Sequence, residues 1–260
     1  MVRMTEEEAQ QISDEAPQDL ISMSAVPFRG KLKDARNLRF FEATVLGIQA
    51  DRVVHQPPQQ QVVGDRVRVD MPLLLELPEL PVSVLTRELT PTDERPEYLR
   101  ATPTLPVTHI DIRNQSMELV EGLSTRLEAV QRINDWVYTS VAKEPSVGVP
   151  NGLEVLYSKR GDCNEHTALF VSLARAAGIP TRIAAGVVYS ERVGPRGQFY
   201  YHAWPEVLLG GESEWIPVDP TFGQVPADAT HIKLVEGDLD RQVEILGVIG
   251  RLELELIEAR

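Results

Sequence analysis

The sequence is poor in cysteine: the chain of 260 residues has a single one, Cys163. One thiol excludes an internal disulfide and any zinc or iron–sulfur site built from several cysteines. The chain also lacks a run rich in lysine and arginine, and its 39 acidic residues outnumber its 26 basic ones to give a net charge of −13. This balance argues against nucleic acids and anionic membrane surfaces as partners.

Long hydrophobic runs are absent too. The most apolar stretch, residues 71–85, is interrupted by Glu76, Glu79 and three prolines, so we expect no segment that spans a bilayer. Residues 1–17 are acidic and contain no signal-peptide core. The sequence therefore leaves two locations open, the cytoplasm or the soluble part of a longer exported protein.

What the chain does contain is typical of a soluble globular protein, with 42% hydrophobic and 25% charged residues. Its length fits one large domain or two modest ones. The pattern predicts a polar lead-in over residues 1–16, an antiparallel β domain of about five strands over 17–97, and a second domain over 98–260. Four prolines between residues 86 and 106 indicate a linker near that boundary.

The second domain is predicted to mix helices and strands, which makes the fold class α+β. Helical periodicity covers residues 111–121 and 124–141, and the apolar stripe of the longer helix includes Trp136, which we assign to the core. A further helix begins at Cys163. Strand patterns then cover residues 181–189, 198–209, 214–218 and part of 243–257, with a helix as the alternative for 252–257.

Cys163 stands at the predicted start of its helix. Asp162 is a typical N-cap, apolar residues follow at helical spacing, and Gly178 and Pro180 end the segment near Ala177. At a helix N-terminus the dipole favours a thiolate, and unpaired backbone N–H groups can bind a developing oxyanion. Cys163 is thus a candidate nucleophile, with a small buried hydrophobic residue as the alternative interpretation.

A thiol nucleophile needs a base, and the base needs a residue that orients it. His202 lies on the second predicted strand, and Asp219 follows the third. A two-residue turn at Gly210-Gly211 would place the two residues directly opposite each other, and a four-residue turn would make them diagonal neighbours on the same face. We predict a base and its orienting carboxylate. The alternative is a cross-strand pair that only satisfies its own hydrogen bonds.

His166 is the rival base, one helical turn after Cys163 and four residues after Asp162, which would orient it. A histidine in a first turn is more often a packing or capping residue, so we favour His202. Cys163 and His166 could also form half of a zinc site, which would need His202, His231 or carboxylates to complete it. We predict no metal and no cofactor, and we assign His231 no role.

Four motifs of the second domain resemble the transglutaminase-like superfamily in their order and spacing. They are Arg160-Gly161-Asp162-Cys163, the run 173–182, His202-Ala203-Trp204 and Asp219-Pro220-Thr221. The resemblance covers about half of the chain, residues 104–234. It implies a papain-like thiol fold, with the cysteine helix packed on an antiparallel sheet. It also implies a catalytic triad of Cys163, His202 and Asp219, the residues already singled out, and an acyl-thioester formed from an amide.

The expected function is that of a bacterial-type cysteine peptidase or amidase, which hydrolyses a peptide or protein amide through an acyl-thioester on Cys163. Two alternatives stay open. One is a protein-glutamine acyltransferase, and the other is a non-catalytic module that binds a peptide or protein and keeps its triad occluded. Trp204 and Tyr201 are candidates for the wall of a substrate cleft. Nothing in the sequence resembles the calcium-binding loops of the animal cross-linking enzymes.

Overall fold

A computed structural model gives the fold of the chain. It describes residues 25–72, 80, 96–146, 149–191, 193, 197–210, 214–237, 241, 245, 247–248 and 250–260. The predicted lead-in, residues 1–16, lies outside the described residues, and so do residues 86–95 of the predicted linker. Among the helices that are described, none has the length and apolarity needed to cross a membrane.

The first sheet has five strands in the order β1-β11-β2-β4-β3. They are β1 (Phe28–Arg29), β2 (Phe40–Leu46), β3 (Gln60–Val63), β4 (Arg66–Asp70) and β11 (Glu253–Ala259). Neighbouring strands pair antiparallel except β1 and β11, which pair parallel. Along β4 the buried Val67 and Val69 alternate with exposed neighbours, which is the period-two pattern of a strand with one buried face.

Strand β11 comes from a distant part of the chain. The sequence permits a helix over residues 252–257 and groups them with the second domain, but in the structure β11 pairs with β2 and β1 of the first sheet. The strand forms because Leu252 and Leu254 are buried while Glu255 points to solvent, an alternation that a helix would not place on one face. The predicted boundary between residues 97 and 98 stays a prediction.

Four described helices belong to the predicted second domain: α1 (Ile110–Val120), α2 (Arg126–Ser140), α3 (Gly152–Ser158) and α4 (Cys163–Ala176). Helices α1 and α2 lie where the periodicity predicts them, and Thr125 and Glu128 form a capping box that starts α2. Helix α3 has no counterpart in the prediction. A short parallel strand pair, β5 (Ala142–Lys143) and β6 (Arg160–Gly161), fixes the chain just before Cys163.

The second sheet is antiparallel throughout, in the order β10-β7-β8-β9. Its strands are β7 (Thr181–Ser190), β8 (Gln198–Gly210), β9 (Glu214–Pro217) and β10 (Ile232–Glu236). Helix α4 packs against β7 and β8, and Thr167 Oγ1 donates to the carbonyl oxygen of Ala203 at 3.1 Å. The predicted α+β fold, with the cysteine helix packed on an antiparallel sheet, is confirmed.

Two hydrophobic clusters hold these elements together. One joins the helices to the second sheet through residues such as Ile133, Phe170 and Val207, and Trp136 packs against it. The other joins the two sheets, where the rings of Phe41 and Phe199 lie 5.5 Å apart. Strand β8 contributes to both clusters, because its two ends contact different layers. His202 lies on this shared strand.

Candidate active site

The start of helix α4 is built by a capping box around Cys163. Asp162 accepts a hydrogen bond from the backbone N–H of Asn164 at 2.9 Å, and Glu165 accepts one from the N–H of Asp162 at 3.0 Å. Gly161 has a φ of +154°, and a Cβ atom there would lie 2.2 Å from Cβ of Glu165. Glycine is therefore required before the cap, and Cys163 takes the first helical position, as predicted from the sequence.

His202 and Asp219 meet across strands β8 and β9, and the distance from Nε2 of His202 to Oδ2 of Asp219 is 2.8 Å. The direct opposition expected from a two-residue turn is wrong, because Glu206 pairs with Pro217, two residues out of that register. This pairing is the register of the four-residue alternative, which makes the two residues diagonal neighbours. Both side chains still reach each other, since a shift by two residues keeps them on the same face.

Asp219 is held by backbone donors as well. Its Oδ1 accepts from the N–H groups of Thr221 at 2.7 Å and Phe222 at 3.0 Å, and the side chain is fully buried. Burial alone would raise the pKa of this carboxyl group. The charges and hydrogen bonds of His202 and His231 outweigh that effect and hold the pKa well below its usual value. Asp219 is therefore ionised and acts only as an acceptor.

The imidazole of His202 is clamped between ring systems. The Phe222 ring stacks on it with centroids 5.0 Å apart and planes 13° apart, and Trp204 stacks at 6.2 Å. Burial lowers the pKa of His202, against the opposing charge and hydrogen bond of Asp219. Because Nε2 faces an ionised carboxylate, the ring proton belongs there. The Nδ1 atom has no hydrogen-bond partner among the described residues.

The Cys163 thiol lies against strand β8 beside His202. The side chain is half-buried, and the backbone of Ala203, the residue after His202, is close enough to the sulfur to lower the pKa of the thiol. Desolvation raises the pKa of the thiol well above its usual value, and the charge of Asp162 adds to the rise. Desolvation and the nearby carboxylate charges therefore outweigh the helix N-terminus, which was expected to favour a thiolate.

Trp204 is buried beside His202, and its assignment as a substrate-binding residue stays a prediction. Its side chain is 1% exposed and lies behind His202. The indole Nε1 has no hydrogen-bond partner in the described part of the chain, and Trp204 borders a cavity of about 20 Å³ together with Gln59 and His231. Side chains alternate between the two faces of a strand, so Trp204 lies on the same face of β8 as His202. Other residues cover that face at the position of Trp204.

Tyr201 stays near the thiol. Its ring is half-buried, and its hydroxyl donates to Oδ1 of Asn164, the residue after Cys163, at 3.2 Å. Burial raises the pKa of the Tyr201 hydroxyl, so this group remains a neutral donor. A role in substrate binding stays a prediction.

His166, the rival base, is a capping residue in the structure. Its ring is fully buried, and Nδ1 bonds the backbone carbonyl oxygen of Asp162 at 2.7 Å rather than the carboxylate that would orient a base. Burial lowers the pKa of His166, and the hydrogen bond to Asp162 opposes this only in part. These contacts support the interpretation of His166 as a packing or capping residue rather than a base.

Two residues of the candidate site, His231 and Arg36, had no signal in the sequence. His231, in the segment before β10, reaches Oδ2 of Asp219 with its Nε2 at 3.0 Å. Arg36, from the turn between β1 and β2, lies over the ring of Phe222 at 4.4 Å. Both depend on contacts between segments far apart in the chain, which no local pattern records.

His202, Asp219 and His231 are the one described group of this kind with ligand atoms close enough for a metal, all within 4.8 Å of one another. The distances from Oδ2 of Asp219 to the two Nε2 atoms, 2.8 and 3.0 Å, are hydrogen-bond lengths. The three groups are therefore arranged to share protons. The absence of a metal stays a prediction.

Comparison with known proteins identifies the family. Residues 113–220, which contain Cys163, His202 and Asp219, match the family model of the transglutaminase-like superfamily. These residues belong to that superfamily. A curated relative of the transglutaminase-like segment, protein-glutamine gamma-glutamyltransferase from Pseudomonas aeruginosa, is 34% identical over 104 residues. The match covers 37% of this chain and 15% of the length of that relative.

Solved structures with a related fold include two bacterial proteins. A protein from Cytophaga hutchinsonii, described as a candidate cysteine protease, has a TM-score of 0.50 at 12% identity, over 91% of this chain and 85% of that one. The periplasmic domain of TgpA from Pseudomonas aeruginosa has a TM-score of 0.44 at 17% identity, over 81% of this chain and 95% of that one. At 12% identity the first likeness bears on the fold alone. The superfamily predicted from the motifs is confirmed.

Proposed function

We propose that the chain is a thiol-dependent amide-bond enzyme in which Cys163 is the nucleophile, His202 the general base and acid, and Asp219 the residue that orients His202. The supporting observation is the buried 2.8 Å hydrogen bond between His202 and Asp219, next to the strand position that contacts the thiol. This bond occupies Nε2 of His202. The unpartnered Nδ1 is therefore the atom that accepts the thiol proton.

The first half of the proposed reaction transfers an acyl group to sulfur. His202 Nδ1 takes the proton of the Cys163 thiol while the sulfur attacks the amide carbonyl carbon. The C–N bond breaks as His202 gives that proton to the leaving nitrogen. The backbone N–H of Cys163 is the proposed oxyanion donor, because the N–H of Asn164 is already bonded to Asp162.

The shifted pKa values of His202 and Cys163 favour proton transfer during the attack over an imidazolium–thiolate pair that forms beforehand. Burial lowers the pKa of His202, and desolvation raises that of Cys163, so both groups are neutral near neutral pH. The proton then moves during the attack itself. We expect the acylation rate to rise with pH as His202 loses its proton, as for a general base.

Water or an amine then releases the acyl group from sulfur. We favour hydrolysis of a peptide or protein amide, because hydrolysis needs only water as the acceptor, whereas transfer needs a bound amine. Transfer from a glutamine side chain to an amine is the second candidate, and the name of the curated relative supports it. In either case the carbon–sulfur bond of the thioester breaks as the acyl carbon bonds to the incoming water or amine. His202 accepts a proton from that water or amine.

The test of the nucleophile uses p-nitrophenyl acetate, an activated ester that acylates thiols without a natural substrate. We expect a burst of p-nitrophenolate equal to the amount of protein, lost in Cys163→Ala and slowed about 100-fold or more in His202→Ala. His55→Gln, a change of an exposed loop histidine, should keep the burst. If folded native protein gave no burst, the proposed enzymatic activity would be refuted and the peptide-binding module would be favoured.

A second measurement separates hydrolysis from transfer. The protein is incubated with a blocked glutaminyl-glycine dipeptide in the presence and absence of hydroxylamine. Hydroxamate formation that outruns glutamate formation would support an acyltransferase. Glutamate formation that hydroxylamine barely diverts would support a hydrolase.

A further inference from the structure

A second imidazole shares the carboxylate of Asp219. His231 Nε2 lies 3.0 Å from Oδ2, the oxygen that His202 Nε2 approaches at 2.8 Å. His231 is 2% exposed and lies outside the matched residues 113–220. We propose that His231 is a doubly protonated positioning residue whose cation holds Asp219 in place and keeps His202 neutral. This inference rests on the proposed function of His202 as the base.

The partners of His231 require a proton on both ring nitrogens. Nδ1 faces the backbone carbonyl oxygen of Asp228 at 3.0 Å, and a carbonyl oxygen only accepts hydrogen bonds. Nε2 faces the ionised carboxylate of Asp219, which also only accepts. Burial would lower the pKa of His231, but the charge of Asp228 and hydrogen bonds to both aspartates raise it to about 9. The ring is an imidazolium at neutral pH.

A second carboxylate fixes this cation from the other side. Oδ1 of Asp228 lies 3.6 Å from Nδ1 of His231, and Nη1 of Arg36 lies 2.9 Å from Oδ2 of Asp228. Charges therefore alternate from Arg36 through Asp228 and His231 to Asp219, and the series ends at His202. A buried charge is tolerated only with a partner, so each member of the series keeps its neighbour ionised.

The cation of His231 changes the effect of Asp219 on His202. An isolated carboxylate raises the pKa of a neighbouring imidazole and favours its charged form. Here burial is the main cause that lowers the pKa of His202, and the charges of His231 and Arg36 lower it further against the effect of Asp219. The titratable groups that face His202 are Asp219, His231, Arg36, Tyr200 and, in the proposed function, Cys163, and those that face His231 are Asp219, Asp228 and His202. The cation of His231 therefore helps to keep His202 a free base.

The charge of His231 can be read directly by nitrogen NMR of protein labelled at the histidine side chains. At about pH 7.5, one unit above the ordinary histidine pKa, both ring nitrogens of His231 should carry protons. The signals are assigned by their loss in His231→Gln. A His231 ring with a single protonated nitrogen at this pH would overturn the proposal.

The effect on the base is read from the pH dependence of acylation by p-nitrophenyl acetate. His231→Gln keeps a neutral N–H donor for Asp219 but removes the cation. We expect the midpoint of the acid limb, which reports His202, to rise by about half a unit or more. His55→Gln should leave the midpoint unchanged. An unchanged or lowered midpoint in folded His231→Gln would mean that His231 has only a structural role, and it would overturn the proposal.

Asp228→Asn provides a second variant, in case His231→Gln does not fold. Removing this carboxylate should lower the pH at which His231 loses its proton, and an unaltered titration would overturn the proposal. The nitrogen spectra do not depend on catalysis. A protein that forms no acyl-thioester would therefore refute the proposed function, while the charge of His231 would still be decided.

Discussion

At the scale of single residues, the site depends on how completely one carboxylate is bonded. Asp219 accepts two backbone N–H groups on Oδ1 and two imidazole N–H groups on Oδ2. Such a carboxylate can neither rotate nor take up a proton without breaking a buried hydrogen bond. It therefore fixes which nitrogen of His202 carries the proton and which one is left as the base.

Asp219→Asn tests this role. Asparagine has a single acceptor oxygen, so its NH2 group would face either the two imidazole donors or the backbone N–H groups of Thr221 and Phe222. Either arrangement breaks hydrogen bonds of the site and allows His202 to adopt the wrong tautomer. We expect acylation of Cys163 by p-nitrophenyl acetate to fall by about 100-fold or more at neutral pH. Circular dichroism must show that the variant is folded. A rate within about threefold of native would contradict the orienting role.

The raised pKa of His231 predicts how stability depends on pH. Its folded value of about 9 exceeds the ordinary value of about 6.5, so the native state binds the proton more tightly than the unfolded chain. The stabilisation is complete below about pH 6.5 and is lost as the pH rises through about 9. We expect the free energy of unfolding to fall by up to about 3 kcal/mol over this window. Urea unfolding at both ends measures it, and His231→Gln should show a smaller loss.

Some of these residues could be found from the sequence, and others could not. Cys163 was predictable because Asp162 before it and Gly178 after it delimit one helix by local rules. His231 and Arg36 were not, because their positions depend on the pairing of β10 with β7 and on the packing of the first sheet. Local sequence patterns carry no record of such long-range contacts.

At the scale of elements, a buried ion network joins three strands of the second sheet. Glu206 on β8 accepts from Nε of Arg182 on β7 at 2.7 Å and from Nζ of Lys233 on β10 at 2.8 Å. None of the three residues is more than 8% exposed. Burial lowers the pKa of Lys233, and Glu206 counteracts this. The carboxylate therefore holds two cations inside the sheet that carries His202.

Glu206→Gln should be strongly destabilising, because it leaves the buried Arg182 and Lys233 with only the partly exposed Glu236 as their carboxylate partner. We expect a loss of about 3 kcal/mol or more in the free energy of unfolding, measured by urea denaturation. Arg29→Gln is the matched control: it breaks the exposed pair with Glu253, whose side chains are 64% and 39% exposed, and should cost less than about 1 kcal/mol. Equal costs for the two variants would contradict the importance of burial.

The pairing of β8 with β9 shows where prediction at this scale stops. Both strands and their order follow from the sequence pattern. The sequence left the register open between two turn lengths, and the pairing of Glu206 with Pro217 is that of the longer turn, two residues from the register of the shorter one. His202 and Asp219 contact each other only because a register shift by an even number of residues keeps both side chains on the same face of the sheet. A shift by one residue would have separated them.

At the scale of the whole molecule, the two sheets share one core. The backbone N–H of Val26 bonds the carbonyl oxygen of Phe199 on β8 at 2.7 Å, and the ring of Phe28 lies 5.2 Å from that of Phe199. Arg36 extends the same contact to Asp228 near the candidate site. The N-terminal residues are thus part of the support of His202. The sequence predicts two domains from its strand and helix patterns and its prolines, and this division stays a prediction.

This shared core predicts that the first sheet and the candidate site unfold together. Leu254→Ala on β11 removes a fully buried side chain and should cost about 2–5 kcal/mol, whereas Ile257→Ala, at 43% exposure, should cost less than about 1 kcal/mol. Circular dichroism and Cys163 labelling in urea should follow one transition in each protein. Two separated transitions would support independent domains on either side of residue 97.

Strand β11 also determines how this chain reaches its fold. It lies between β1 and β2, so the first sheet closes only when residues 253–259 return to strands that begin at residue 28. Such distant pairing gives a high contact order and slow folding. Until β11 pairs, the edges of β1 and β2 that it occupies remain unpaired. The β11 strand of another copy can pair with these edges as well as the strand of the same chain. Refolding at high protein concentration would therefore favour strand-swapped dimers.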